Sequence, residues 1–119
     1  MTTAAQKQRR LPVQFEELEP FVDRWAGMTT AERMTARCES SMEEIQAYYD
    51  AVLQRADEAL DLIEQYPLEG LPEDVGTLFR LVLGLAQASI AVELYQQPRA
   101  PETPYPNSIR LVRGTAPYG

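Results

Sequence analysis

Apolar and polar positions divide this chain of 119 residues into a regular stretch, a saturated stretch and two irregular ends. The regular stretch follows Thr29, which with Glu32 three residues later forms a capping-box signature; Thr30 is an alternative cap. No Pro or Gly then occurs before Pro67. Across that interval Cys38, Met42, Ile45, Tyr49, Val52, Ala56, Ala59, Ile63 and Tyr66 alternate spacings of four and three. This coiled-coil-like seam predicts one continuous helix over about 30–66, roughly 54 Å long. Tyr48, Leu53, Leu60 and Leu62 widen the seam to a bundle-type face, opposite Glu43, Glu44, Asp50, Asp57, Glu58, Asp61 and Glu64.

The saturated stretch runs from Leu78 to Tyr95, with apolar side chains on every side and only Arg80 and Glu93 charged. Pro72, Glu73 and Asp74 are suited to open its helix, and Pro98 ends it near Gln97. The connection from Pro67 to Pro72 is short, so the two helices are expected as antiparallel neighbours in an αα-hairpin. Folding about that turn sets Tyr49 near Ala88 and Ala91, Ala59 near Leu81, and Ala56 near Gly84 and Leu85. Large side chains then meet small ones. A second stripe, Phe79, Leu83, Ala86, Ile90 and Leu94, faces away from the hairpin. A helix apolar all round needs cover all round, and a short first helix shelters only part of that stripe. The expected cover is a second subunit or a protein partner.

At the irregular ends, Leu18, Phe21, Val22 and Trp25 mark a short helix between Phe15 and Trp25. Pro20 either opens or kinks it, and Gly27 stops it. Residues 1–13 are expected as a flexible basic arm, 14–97 as the helical domain, and 98–119 as an extended Pro-rich tail. Within the tail Ile109 to Arg113 is a short strand candidate. The expected fold class is all-α: an antiparallel helical hairpin (about 30–66 and 73–97) with a short N-terminal helix and extended tails. It is expected to form a dimeric bundle or to dock on a partner.

Length and composition fit one globular domain. A net charge of −7 opposes nucleic-acid binding as the main activity, because the phosphate backbone repels such a body. The charge is uneven. Lys7, Arg9 and Arg10 make one end basic, and Arg99, Arg110 and Arg113 against Glu102 do the same at the other. These ends either fold back on the acidic middle or grip a partner. The single cysteine, Cys38, excludes an internal disulfide and fits a reducing cytosol, and no secretory signal is present, so a cytoplasmic location is expected. The uncharged run from Leu81 to Val92 falls short of the roughly 20 residues a bilayer requires, so no membrane span is expected.

The chain has no histidine, which removes the commonest general base and the commonest transition-metal ligand. No catalytic, metal or cofactor residues are assigned, and no cofactor is expected. Glu43, Asp50, Asp57 and Glu64 recur every seven residues, roughly 10 Å apart along a helix. Glu39 with Glu43 and Asp57 with Asp61 are closer, but they belong to a solvated face outside the seam. Cys38 lies in the seam as a small hydrophobe; a nucleophilic role would need Arg33 or Arg37 beside it.

Tyr48, Tyr49 and Tyr95, with Ala88, are a candidate small-ligand pocket, with Tyr66 a further tyrosine for it; the alternative is packed rings with hydroxyls at the rim. Trp25 is either a lid on the hairpin or an exposed anchor. The prolines before Tyr105 suit a groove-binding PPII segment or a plain linker. The strand candidate either adds to a partner's sheet or frays. The candidate interface is therefore Trp25, Phe79, Leu83, Ala86, Ile90, Leu94, Ile109 and Leu111.

Met42-Glu43-Glu44-Ile45-Gln46-Ala47-Tyr48-Tyr49-Asp50-Ala51-Val52-Leu53 and Leu71-Pro72-Glu73-Asp74 carry a resemblance. Over residues 41–95 the chain resembles small, uncharacterised bacterial helical proteins associated with ring-hydroxylating oxygenase systems. No His and Cys set for an iron–sulfur cluster or a mononuclear iron is present. The resemblance thus implies a non-catalytic accessory subunit of an oxygenase or other redox enzyme. The alternative expectation is a small-ligand or cofactor-binding bundle using core tyrosines.

Overall fold

The computed structural model of the chain describes residues 10–99, 114 and 116–119, and every regular element among them is helical. A 3-10 helix, Val13–Phe21, leads into a single α-turn, α1 (Val22–Trp25). Then come α2 (Thr30–Cys38), α3 (Met42–Leu53) and α4 (Ala56–Ile63). A 3-10 turn, Leu68–Gly70, precedes α5 (Glu73–Ser89), which continues as a π-helix over Ile90–Tyr95. Gln96, in left-handed backbone (φ 57°), ends it.

The expected single helix over 30–66 is instead three helices. Thr29 caps α2 as its spacing predicts, its hydroxyl accepting the Glu32 N–H at 3.2 Å. A second capping box then takes over: the Ser41 hydroxyl accepts the Glu44 N–H at 3.1 Å, and the Glu44 carboxylate accepts the Ser41 N–H at 2.9 Å. Two orphan donors are satisfied there, so α3 starts afresh at no hydrogen-bonding loss. The next break lies at Gln54–Arg55, where Arg55 leaves helical geometry (φ −107°, ψ 2°). Its guanidinium reaches Glu17, Glu58 and the Gln14 carbonyl and covers the Phe15 ring at 4.4 Å. Anchoring to the N-terminal segment replaces helix continuity.

These breaks change the packing. A straight 54 Å rod meets α5 along one line, whereas three short helices wrap it. Four helices, α1, α2, α3 and α4, pack against α5. The core is Leu11, Phe15, Leu18, Val22, Trp25, Ala26, Ile45, Tyr48, Val52, Ala59, Ile63, Val75, Leu78, Leu81, Ala88 and Ala91. Leu11 and Pro12, in the segment expected as an arm, are buried against the body. Arg10 pairs with Glu19 and Asp23, bringing that basic residue onto the acidic 3-10 helix and α1. The expected strand over 109–113 lies outside the described residues.

Candidate functional site

The surface in question is built on α5, whose inner face shows what full cover means. Tyr48 has no exposed surface; its ring stacks on Trp25 at 4.3 Å and meets Phe21 edge-on at 5.9 Å. Its hydroxyl donates to the Leu81 carbonyl. Gly84 makes this approach possible, because a Cβ there would lie 2.6 Å from the Tyr48 hydroxyl and 2.9 Å from the Trp25 carbonyl. Burial pushes the Tyr48 phenol well above its ordinary range.

The seam expectation placed Tyr49, not Tyr48, against α5. Tyr49 is half-buried at the rim, and its hydroxyl donates to Glu93. That hydrogen bond, then desolvation, raises its pKa. Ile45, Val52, Ala59 and Ile63 hold their expected places in the core, but the Met42, Tyr49 and Ala56 column is only half-buried, and Tyr48, expected as a flank of the seam, is enclosed instead. Trp25 is 3% exposed. Of its two expected roles it fills the lid, not the exposed anchor, because Tyr48 offers it a flat ring in the core.

The outer stripe contrasts with this. Leu94 is 71% exposed, Ala86 is exposed, and Leu83 and Ile90 are half-buried. Phe79, at the N-terminal end of the stripe, meets the Tyr118 ring edge-on at 5.9 Å. The structure thus brings Phe79, Leu83, Ala86, Ile90 and Leu94 onto one helical run, while Ile109 and Leu111 lie outside the described residues. Of the candidate pocket residues, Tyr48 and Ala88 are fully buried, the Tyr49 hydroxyl donates to Glu93, and Tyr95 lies under Arg37 at 5.7 Å. Three open grooves, of about 520, 570 and 310 Å³, lie elsewhere and include none of these four.

Two buried arginines on α2 were not anticipated as structural anchors. Arg33 donates to the Gly27 and Tyr118 carbonyls at 2.8 and 2.6 Å. Desolvation lowers its pKa. Arg37 donates to the Pro98 carbonyl at 3.0 Å, to the Gln87 side chain at 2.9 Å and to the Cys38 thiol at 3.6 Å. One turn apart, they hold both described portions of the chain beyond α5. The readable signal was an i,i+4 pair of arginines on the stripe that also carries Cys38 and Met34. Cys38 is buried, as a core hydrophobe is. Among the described residues no group of three or more acids and cysteines is placed to hold a metal ion.

Comparison with protein-family profiles, curated proteins and solved structures gave no match of any significance.

Proposed function

We propose that this protein is a non-catalytic interaction or accessory subunit, acting through the outer stripe of α5 and its extended tails. Its partner is a second copy or a larger protein, with an oxygenase or other redox enzyme as the type the sequence resemblance favours. The carrying observation is the uneven cover of one apolar helix. In its most apolar eighteen-residue window 44% is buried, and Leu94, Ala86, Leu83 and Ile90 fall on the side left partly or fully open. A contiguous apolar surface of this kind is what association removes from water.

Two further considerations support the reading. With no histidine, acid–base work would fall to tyrosines or carboxylates, and both central tyrosines hold their protons more tightly than free phenols. The run Glu73–Tyr95 has 23 residues and is apolar enough by length and composition to cross a membrane. Its packing against four other helices favours a core helix over a membrane span; the reading keeps the expected cytoplasmic location and, on the net charge of −7, no nucleic acid.

The double variant Leu83→Glu/Ile90→Glu tests this. Light scattering on the wild type should give twice 13.5 kDa, or a larger assembly with a partner in native extract. The variant should run at 13.5 kDa with its helical circular dichroism kept. A wild type that is a 13.5 kDa monomer in both settings would contradict the proposal.

A further inference from the structure

Residues 116–119 are separated in sequence from the helical body, yet they are read by it at five points. The Tyr118 ring packs edge-on against Phe79 at 5.9 Å and lies under the Arg80 guanidinium at 5.3 Å. Its hydroxyl sits over Gly76, where an added Cβ would collide with it. Its carbonyl accepts from Arg33 at 2.6 Å. The next carbonyl, of Gly119, accepts the Thr30 N–H at 3.0 Å. Side chain and backbone are recognised together, as in a peptide-binding groove.

The receiving groups are held independently of this segment. Arg33 also binds the Gly27 carbonyl, and Arg80 donates to the Ala26 carbonyl at 2.9 Å. The notch is therefore organised before its ligand arrives, which lowers the ordering cost of binding. Tyr118 itself holds left-handed backbone (φ 66°), a conformation that a bulky residue keeps where surrounding contacts impose it.

We propose that the notch formed by Gly76, Phe79, Arg80 and Arg33 is a peptide-recognition site. Its ligand is Pro117-Tyr118-Gly119, bound in cis here and able to bind in trans on a second copy of this chain. The trans arrangement is within reach. The contour between Arg99 and Gly114 extends to about 50 Å, and the longest dimension of the body is 45 Å. This site is separate from the open part of the α5 stripe, and its test does not depend on whether that stripe has a partner.

The test uses the full chain with Tyr118→Ala, which empties the notch, labelled with nitrogen-15. Titration with the peptide Gly-Thr-Ala-Pro-Tyr-Gly, amidated at its end, should give saturable amide shifts around Gly76, Arg80 and Arg33. Wild type should require at least about tenfold more peptide, because its own segment competes at high effective concentration. Gly76→Ala added to Tyr118→Ala should abolish the shifts while leaving helical content intact, since alanine is the better helix former. Absence of shifts at millimolar peptide, or equal shifts in all three proteins, would overturn the site. Unlabelled Gly76→Ala chain, which keeps Tyr118 but has a blocked notch, should reproduce the peptide's shifts in labelled Tyr118→Ala. If it does not, binding in trans is overturned.

Discussion

Leu81 and Leu83 are two positions apart on α5 and meet different worlds. Leu81 has no exposed surface, and its carbonyl receives the Tyr48 hydroxyl beside a glycine that lets the ring approach. Leu83 is half-buried and continues toward exposed Ala86 and Leu94. Hydrophobicity is the same at both; complementarity is not. The inner face runs from large residues (Val75, Leu78, Leu81) to small ones (Gly84, Ala88, Ala91), and Tyr48, stacked on Trp25, comes close where it narrows at Gly84. The outer face carries aliphatic bulk that ends in exposed Ala86 and Leu94, with Leu83 and Ile90 half-buried.

The contrast can be broken first at Leu81. Leu81→Ala should lower the unfolding free energy by about 3 kcal/mol, whereas Leu83→Ala should cost no more than about 1 kcal/mol in the isolated chain. Urea denaturation followed at the Trp25 fluorescence measures both. Similar losses would mean that the two faces are equally packed. Next is Gly84→Ala, a change that usually favours a helix. Here the added methyl meets the fixed Trp25 carbonyl and the Tyr48 hydroxyl, and overpacking should cost about 2 kcal/mol. A rise in melting temperature would contradict that geometry.

Alkaline titration probes the same face without a mutation. The Tyr48 phenol is raised in the folded state above its unfolded value of 10.0, so its contribution is complete below pH 10. It is lost as pH rises further, because the unfolded chain releases a proton that the folded chain retains. Stability should fall by about 1.4 kcal/mol per pH unit above pH 10 from this residue, and a Tyr48→Phe variant should show a shallower decline. The smallest effect concerns the break that lets α3 turn toward α5. Ser41→Ala should cost about 1 kcal/mol and increase hydrogen exchange in the first turn of α3. The Glu44 carboxylate is held below its ordinary pKa, first by the Ser41 N–H, so the cap should also weaken as pH falls through the acid range.

Helix content, the turn at 67–72 and the start at Thr29 were legible because each rests on local chemistry: a cap, a proline, a period. The breaks at Ser41 and Arg55 were harder to read. Ser41-x-x-Glu44 is a capping box in plain view, but an uninterrupted seam across it argued for continuity. Arg55 departs from the helix for partners on the 3-10 helix, a tertiary cause that no local window contains. One consequence is the swap of Tyr49 for Tyr48 in the core. The other is that four helices, not two, shelter α5. The expectation of an uncovered stripe thereby contracts to Leu83, Ala86, Ile90 and Leu94, with Phe79 partly taken by Tyr118. The docking of Tyr118 was invisible for the same reason as Arg55, since Gly76 and Phe79 are about forty residues away in sequence.

The most direct test of the interaction account is site-specific photo-crosslinking in the native cell. A benzophenone side chain replaces Leu94 on the outer stripe or, as a control matched for apolar character, Leu68 in the turn, which is 52% exposed. The account predicts a discrete covalent adduct from position 94, of one defined mass, and none from position 68. Equal diffuse labelling from both positions, or no adduct from position 94, would contradict it.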